Sequence, residues 1–304
     1  MKRVTAAAVQ AGSILFDTPR TMEKLADLAA DAAASGAGLI VFPEAFVGGY
    51  PKGHDFGARV GSRSPEGRDW FARYHASAIT VPGPETGRMG EIAQANNAEM
   101  VVGVIERDGG TLYCTALGFR RDGALAGARR KLMPTAMERL VWGFGDGSTL
   151  NAWDLEAGRT SATICWENYM PAMRMNWYAQ NVEIYTAPTV DDRESWPVMM
   201  RAAAMEGRCF VVSACQYLTR ADCPPDYEPD SDDPLIRGAS CIVAPMGKML
   251  AGPVFGEAAI LTAELDPALI ARGKYDFDAA GHYARPDIFE LKVDRRRKPA
   301  VSDA

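Results

Sequence analysis

A cysteine at the end of an apolar run is the first residue of this sequence with chemistry to offer. Cys165 follows Thr160 to Ile164, a short and partly β-branched strand pattern. It precedes Asn168 to Pro171, which supplies a cap and a fixed φ for a helix starting near Met170. At the carboxyl end of a strand in an α/β sheet, a side chain points into the ligand crevice, and the N–H groups of the next turn are unpaired donors. A thiol there can be a nucleophile with oxyanion donors beside it. Taken alone, Cys165 also reads as a buried structural cysteine, the commoner fate of a free thiol. Glu44 poses a similar choice. It follows the continuous apolar run Leu39-Ile40-Val41-Phe42, so it is either a cap or surface residue, or a carboxylate held in a crevice with a raised pKa. Lys131, beside Arg129 and Arg130 and before Pro134, reads singly as a solvated charge.

The elements that must carry these residues alternate between strand and helix. Val4 to Gln10 predicts a first strand, Thr21 to Ser35 a helix closed by Gly36, and Leu39 to Phe42 a strand buried on both faces. Val47 to Asp69, rich in Gly, Pro and charge, is too long for a simple connection and reads as a loop shaping a pocket rim. Thr86 to Asn97 predicts a helix, Met100 to Glu106 and Leu112 to Arg120 a hairpin across Asp108-Gly109-Gly110, and Arg121-Asp122-Gly123 the next turn. Strands are expected near Leu150 to Leu155, at Thr160 to Ile164 and at Val182 to Ala187, the last ended by Pro188. Helices are expected over Met170 to Gln180 and Ser195 to Glu206. Cys209 to Ala214 is a buried strand, with Cys209 and Cys215 as core residues. Ala221 to Pro234, acidic and proline-laden, is expected outside the core as a surface loop or assembly contact. Ala239 to Ala244, Lys248 to Gly252 and Ala258 to Leu265 form a meander, and Pro267 to Arg272 a short helix. Residues 1–272 thus read as one domain, and 273–304 as an irregular tail against a neighbouring subunit or layer. About twelve strands are too many for one open sheet, so two sheets packed face to face with helices outside are expected.

Composition narrows the function. The chain has 304 residues, 47% hydrophobic and 24% charged, with a formal net charge of −6. An acidic balance argues against a nucleic-acid footprint or a membrane-surface face. The basic run Arg295 to Lys298 reads as a solvated tail. The apolar start ends at Gln10, short of a secretory signal, and no run spans a membrane, so a cytoplasmic protein is expected. Six scattered cysteines without an export signal read as free thiols. With no C-x-x-C pair and the histidines at 54, 75 and 282 far apart, no metal site can be read and no cofactor is expected. Trp142 to Gly147 is glycine-rich but lacks the spacing of a phosphate cradle.

Three stretches together resemble the motif regions of the nitrilases, in the carbon-nitrogen hydrolase superfamily: Phe42-Pro43-Glu44-Ala45-Phe46, Arg130-Lys131-Leu132-Met133-Pro134-Thr135, and Cys165-Trp166-Glu167-Asn168-Tyr169-Met170-Pro171. The likeness runs from about Ala6 to Arg295. It takes in Gly48 to Pro51, Glu138 to Gly143, and Gly281 to Asp287. Trp-Glu-Asn after the cysteine resembles the nitrile-cleaving branch. The resemblance implies an αββα sandwich, a Glu44–Lys131–Cys165 triad with Glu138 beside it, and homo-oligomers built on dimers that can extend into spirals. It places Tyr50, Thr135, Trp166, Asn168 and Pro188 around the substrate. Phe144 departs from the polar residue that relatives commonly carry in that loop, which bears on substrate preference.

The implied chemistry suits these residue types. A nitrile carbon is a weak electrophile and calls for a thiolate, yet an ordinary Cys is only a few per cent ionised at neutral pH. Glu44 can take the thiol proton if burial raises its pKa, and Lys131 can steady the thiolate. Glu138 would orient Lys131 or the substrate. The expected partners are a small nitrile and water. The alternatives are a cyanide hydratase or nitrile-to-amide relative, an amidase or carbamoylase, and a non-catalytic filament-forming relative. A Cys–His pair using His54 or His282 is the rival within catalysis.

Overall fold

The apolar runs pair into two mixed sheets that face each other. In the computed structural model, which describes residues 1–229, 232–299 and 301, the first sheet is ordered Ala259–Leu265, Val4–Gln10, Leu39–Val41, Glu99–Asp108, Thr111–Phe119 and Leu125–Arg130. Its three strands Val4–Gln10, Leu39–Val41 and Glu99–Asp108 are parallel and the others antiparallel. The second sheet runs Tyr217–Leu218, Ile236–Val243, Phe210–Ser213, Ile184–Thr186, Arg159–Ala162 and Trp153–Asp154, with Met249–Phe255 also paired to Ile236–Val243.

Alternation along each strand explains the layers. In the first sheet Ala6, Ala8, Leu39 and Val41 face the second sheet, while Ala7, Val9, Ile40 and Phe42 join the core beneath the helices Thr18–Ala34 and Pro84–Ala95. Both faces are buried, which is why Leu39 to Phe42 is apolar without interruption. The helices Pro171–Tyr178 and Ser195–Gly207 flank the second sheet. Gln10, which broke the first apolar run, is fully buried, and its side-chain oxygen accepts the N–H groups of Ala239 and Ser240 across the sandwich.

Several expectations shift. The first helix begins at Thr18 rather than Thr21, because Asp17 caps it by accepting the Arg20 N–H and Pro19 fits its first turn. The loop expected through Asp69 ends earlier, in a helix Pro65–Ser77 capped by Ser64. Its apolar face is made of aromatics set among charges, which hid the period. The strand expected over Leu150 to Leu155 reduces to Trp153–Asp154. The proline-laden span 221–234 is not wholly outside the core: Tyr227 is buried, because its ring packs against those of Phe16, His54 and Trp70. Positions 230 and 231 of that span lie outside the described residues. The last helix is Ala268–Asp276. Arg295 is no free tail residue, since its guanidinium donates to the Asn176 side chain at 2.7 Å and to the Leu150 carbonyl, while Arg296 and Lys298 pair with Asp294.

Candidate active site

Each of the three sequence segments ends a strand and is then turned sharply inward. The chain leaves Leu39–Val41 through Phe42, whose N–H donates to Val101 O, and Ala45 takes a left-handed φ of 51°. Gly103 makes room for this turn. A Cβ there would lie 2.2 Å from the Pro43 carbonyl oxygen and 2.7 Å from the Glu44 Cα. The Glu44 carbonyl is held from the opposite sheet by the Gln216 amide at 2.7 Å. Lys131 follows Leu125–Arg130 and donates its backbone N–H to Cys114 O at 2.7 Å. Cys165 follows Arg159–Ala162 at φ 49°, a conformation an L-residue adopts at some cost, and starts a single tight turn over Cys165–Tyr169. Its N–H donates to Pro188 O at 2.9 Å, and the Asn168 amide donates to the carbonyls of Thr163 and Cys165.

These turns bring the side chains together. The Lys131 ammonium donates to Glu44 Oε1 at 2.6 Å and to Glu138 Oε2 at 2.8 Å, and all three residues are buried. Glu138 is engaged at both oxygens: Oε2 also accepts the Thr135 N–H at 2.6 Å, and Oε1 accepts the Tyr50 hydroxyl at 2.9 Å. Glu44 is not. Oε1 takes Lys131 and the Cys114 thiol at 3.5 Å, whereas Oε2 is buried with no well-formed hydrogen bond. The Cys165 thiol is near enough to lower the Glu44 pKa as a hydrogen-bonding neighbour, the smallest of the influences on this carboxylate.

Burial dominates the electrostatics. It raises the Glu44 pKa to about 6, with the Lys131 charge opposing and Glu138 reinforcing the rise. Burial would lower the Lys131 pKa, but Glu44, Cys165 and Glu138 together carry it well above its ordinary value. Burial and the Glu44 charge push the Cys165 thiol well up, and Lys131 offsets only part of this. The arrangement therefore holds a protonated thiol beside a carboxylate that is ionised at neutral pH. A proton can pass from sulfur to Glu44 as the sulfur attacks.

Cys165 opens onto a cavity of about 280 Å³ lined also by Tyr50, Thr135, Glu138 and Trp166. Asn168 and Pro188, expected around the substrate, are not among its lining residues; both instead hold the backbone at Cys165, through the Asn168 side-chain NH2 and the Pro188 carbonyl. Phe144 is half-exposed and also outside this lining. His54 packs its ring on Tyr227 and accepts the Phe56 N–H, and His282 is exposed. Among the described residues no cluster of three or more His, Cys, Asp or Glu could hold a metal ion, and no helix is long and apolar enough to cross a membrane.

Sequence reasoning missed the groups that align these segments. Glu167 is fully buried; its carboxylate accepts the Leu132 N–H at 2.6 Å, the Ile164 N–H at 3.0 Å and the Arg129 guanidinium. One side chain thus ties the residue after Lys131 to the residue before Cys165. Its place two positions after the cysteine was legible, but its partners on the other sheet were not. Asp191 is another. It accepts the Trp166 indole N–H at 3.0 Å and chelates Arg193, whose guanidinium lies 4.6 Å from the centre of the Trp166 ring.

Known proteins resemble this chain along nearly its whole length. An aliphatic nitrilase of Sinorhizobium fredii is 54% identical over 307 residues, covering 99% of each chain. Nitrilase 2 of Arabidopsis thaliana is 49% identical over 98% of this chain and 91% of its own. A solved carbon-nitrogen hydrolase from Helicobacter pylori superposes with a TM-score of 0.73 at 19% identity, over 94% of this chain and 97% of that one, which establishes the αββα sandwich. The carbon-nitrogen hydrolase family profile matches residues 5–275, and with relatives this similar over nearly the whole length the chain belongs to that family.

Proposed function

We propose that this chain is a nitrilase, converting an organic nitrile and two waters into a carboxylic acid and ammonia, with Cys165 as nucleophile. The observation that carries the reading is the unequal use of the two glutamates around Lys131. Both Glu138 oxygens are engaged, by three donors in all, whereas one buried Glu44 oxygen has no hydrogen-bond partner and the Cys165 thiol is near enough to act on this carboxylate. Sulfur adds to the nitrile carbon while Glu44 takes its proton and returns it to the nitrogen, giving a thioimidate on Cys165. Water adds, ammonia leaves, and a thioester remains. Glu44 then activates a second water, and the acid departs as sulfur regains its proton. In each tetrahedral stage the Lys131 ammonium and the Trp166 N–H balance the developing negative charge, at about 3 kcal/mol per donor. The Cys165 N–H is already taken by Pro188, so Trp166, whose N–H has no backbone partner outside its own short turn among the described residues, is the better donor.

Cys165→Ala should abolish ammonia release from nitriles, while His54→Ala retains measurable turnover. The reverse pattern would reject the triad. The resemblance of the chain also supports a cytoplasmic homo-oligomer built on dimers and extending into spirals, with residues 273–304 at a subunit contact. Exposed Tyr275, Tyr283, Ile288 and Phe289 in that stretch favour such a contact.

A further inference from the structure

The nitrilase reading leaves open what else the nitrile carries, and the charges around the cavity bear on that; this inference rests on the same reading. If spherical, the cavity is about 8 Å across, at the small end for ligand sites. Most of its charged lining is committed. Asp191 is saturated by Arg193 and Trp166, Arg193 is chelated in turn, and Asp192 accepts the Arg237 N–H at 3.0 Å. Glu138 already has its three donors.

Lys52 differs. It lines the same cavity as Cys165, is half-buried, and its ammonium has no hydrogen bond or ion pair among the described residues. Its backbone, by contrast, is pinned. The Tyr227 hydroxyl donates to Lys52 O at 2.7 Å, and the Lys52 N–H donates to Tyr50 O at 2.8 Å. Tyr50 is anchored through its own hydroxyl to Glu138. The acidic, proline-laden span thus sends one buried tyrosine across the surface to hold this lysine in place. Glu138, Asp191 and Asp192 line the same cavity but are engaged by other donors, so a half-buried ammonium with no hydrogen-bonded partner, on a segment whose backbone is held at the cavity wall, favours an anionic group on whatever enters.

We propose that Lys52 is a specificity-determining residue that binds a carboxylate of the substrate, so that the preferred substrates are short aliphatic nitriles bearing a terminal carboxylate. The span of the cavity allows a few methylene groups between the carbon that Cys165 attacks and the carboxylate at Lys52.

The test compares kcat/KM for ammonia release from the terminal cyanobutyrate and from its methyl ester, which has the same chain without the charge. The wild type should prefer the acid by about tenfold or more. The preference should shrink with added salt, survive in Lys52→Arg and fall towards unity in Lys52→Met. Equal turnover of acid and ester by the wild type, or a preference kept by Lys52→Met, would overturn the assignment while ester turnover leaves the nitrilase reading standing. If neither nitrile released ammonia, turnover of uncharged nitriles from a broader panel would overturn the Lys52 assignment alone, and inactivity across that panel would overturn both readings. Should Lys52→Met not fold, product inhibition of the wild type serves in its place. Glutarate should inhibit ester turnover at about a tenth of the concentration its monomethyl ester requires, and equal potency would again overturn the proposal.

Discussion

Replacing Glu167 by Gln removes one charge and leaves the shape unchanged, at the point where the two sheets are tied together around the site. The carboxylate accepts two backbone N–H groups and a guanidinium, and both charged side chains are buried, at 0% and 1% exposure. A carboxamide keeps one acceptor oxygen and turns an NH2 group towards a donor. Arg129 is then a buried charge without its partner, a loss of about 3–5 kcal/mol. For a chain of this size that lowers the melting temperature by on the order of 10 °C. The second consequence is kinetic. Leu132 and Ile164 are the chain neighbours of Lys131 and Cys165, and about 1 Å of slack between them would cost about a hundredfold in kcat. KM should move much less. Melting curves and ammonia release at 25 °C, well below the transition, separate the two effects. Adding Arg129→Met should restore part of the lost stability, because it removes the unpaired charge, without restoring kcat. A Glu167→Gln variant melting within about 2 °C of the wild type, or one that loses stability with kcat unchanged, would refute the reasoning.

Three further outcomes follow from the site. Glu44 must be ionised to accept the thiol proton, and burial holds its pKa near 6, so kcat/KM should fall as pH drops through about 6; a profile flat to pH 5 would contradict this. The same shift runs the other way for folding: this carboxyl's contribution to stability is present below its ordinary 4.5 and is lost as pH rises through about 6. Gly103→Ala should cut kcat by tenfold or more while the chain still folds, because the new methyl meets Pro43 and Glu44 backbone rather than a movable side chain; wild-type kcat would show that this turn can shift freely.

The sequence by itself determined most of the run of strands and helices, the double sandwich and the residues worth testing, because apolar period and strand-end punctuation are local properties; the aromatic helix Pro65–Ser77 and the polar strand Leu125–Arg130 lack that period and were not legible. Two sheets face to face with helices outside were legible in those patterns, while the carbon-nitrogen hydrolase family was legible only in the resemblance of three motif stretches, and both stand. Glu44, Lys131 and Cys165 could be picked out, but each kept a bland reading until they were placed together. Only the tertiary structure decided which glutamate keeps a free oxygen, that Asn168 and Pro188 hold backbone rather than line the cavity, and that Glu167, Gln216 and Tyr227 are clamps. The reason is physical. A carboxylate's role here is set by which donors occupy it, and those donors come from strands and loops far away in the chain. The Tyr227 hydroxyl reaches a carbonyl 175 positions away and the Gln216 amide one 172 positions away, distances over which no periodic pattern in the sequence persists.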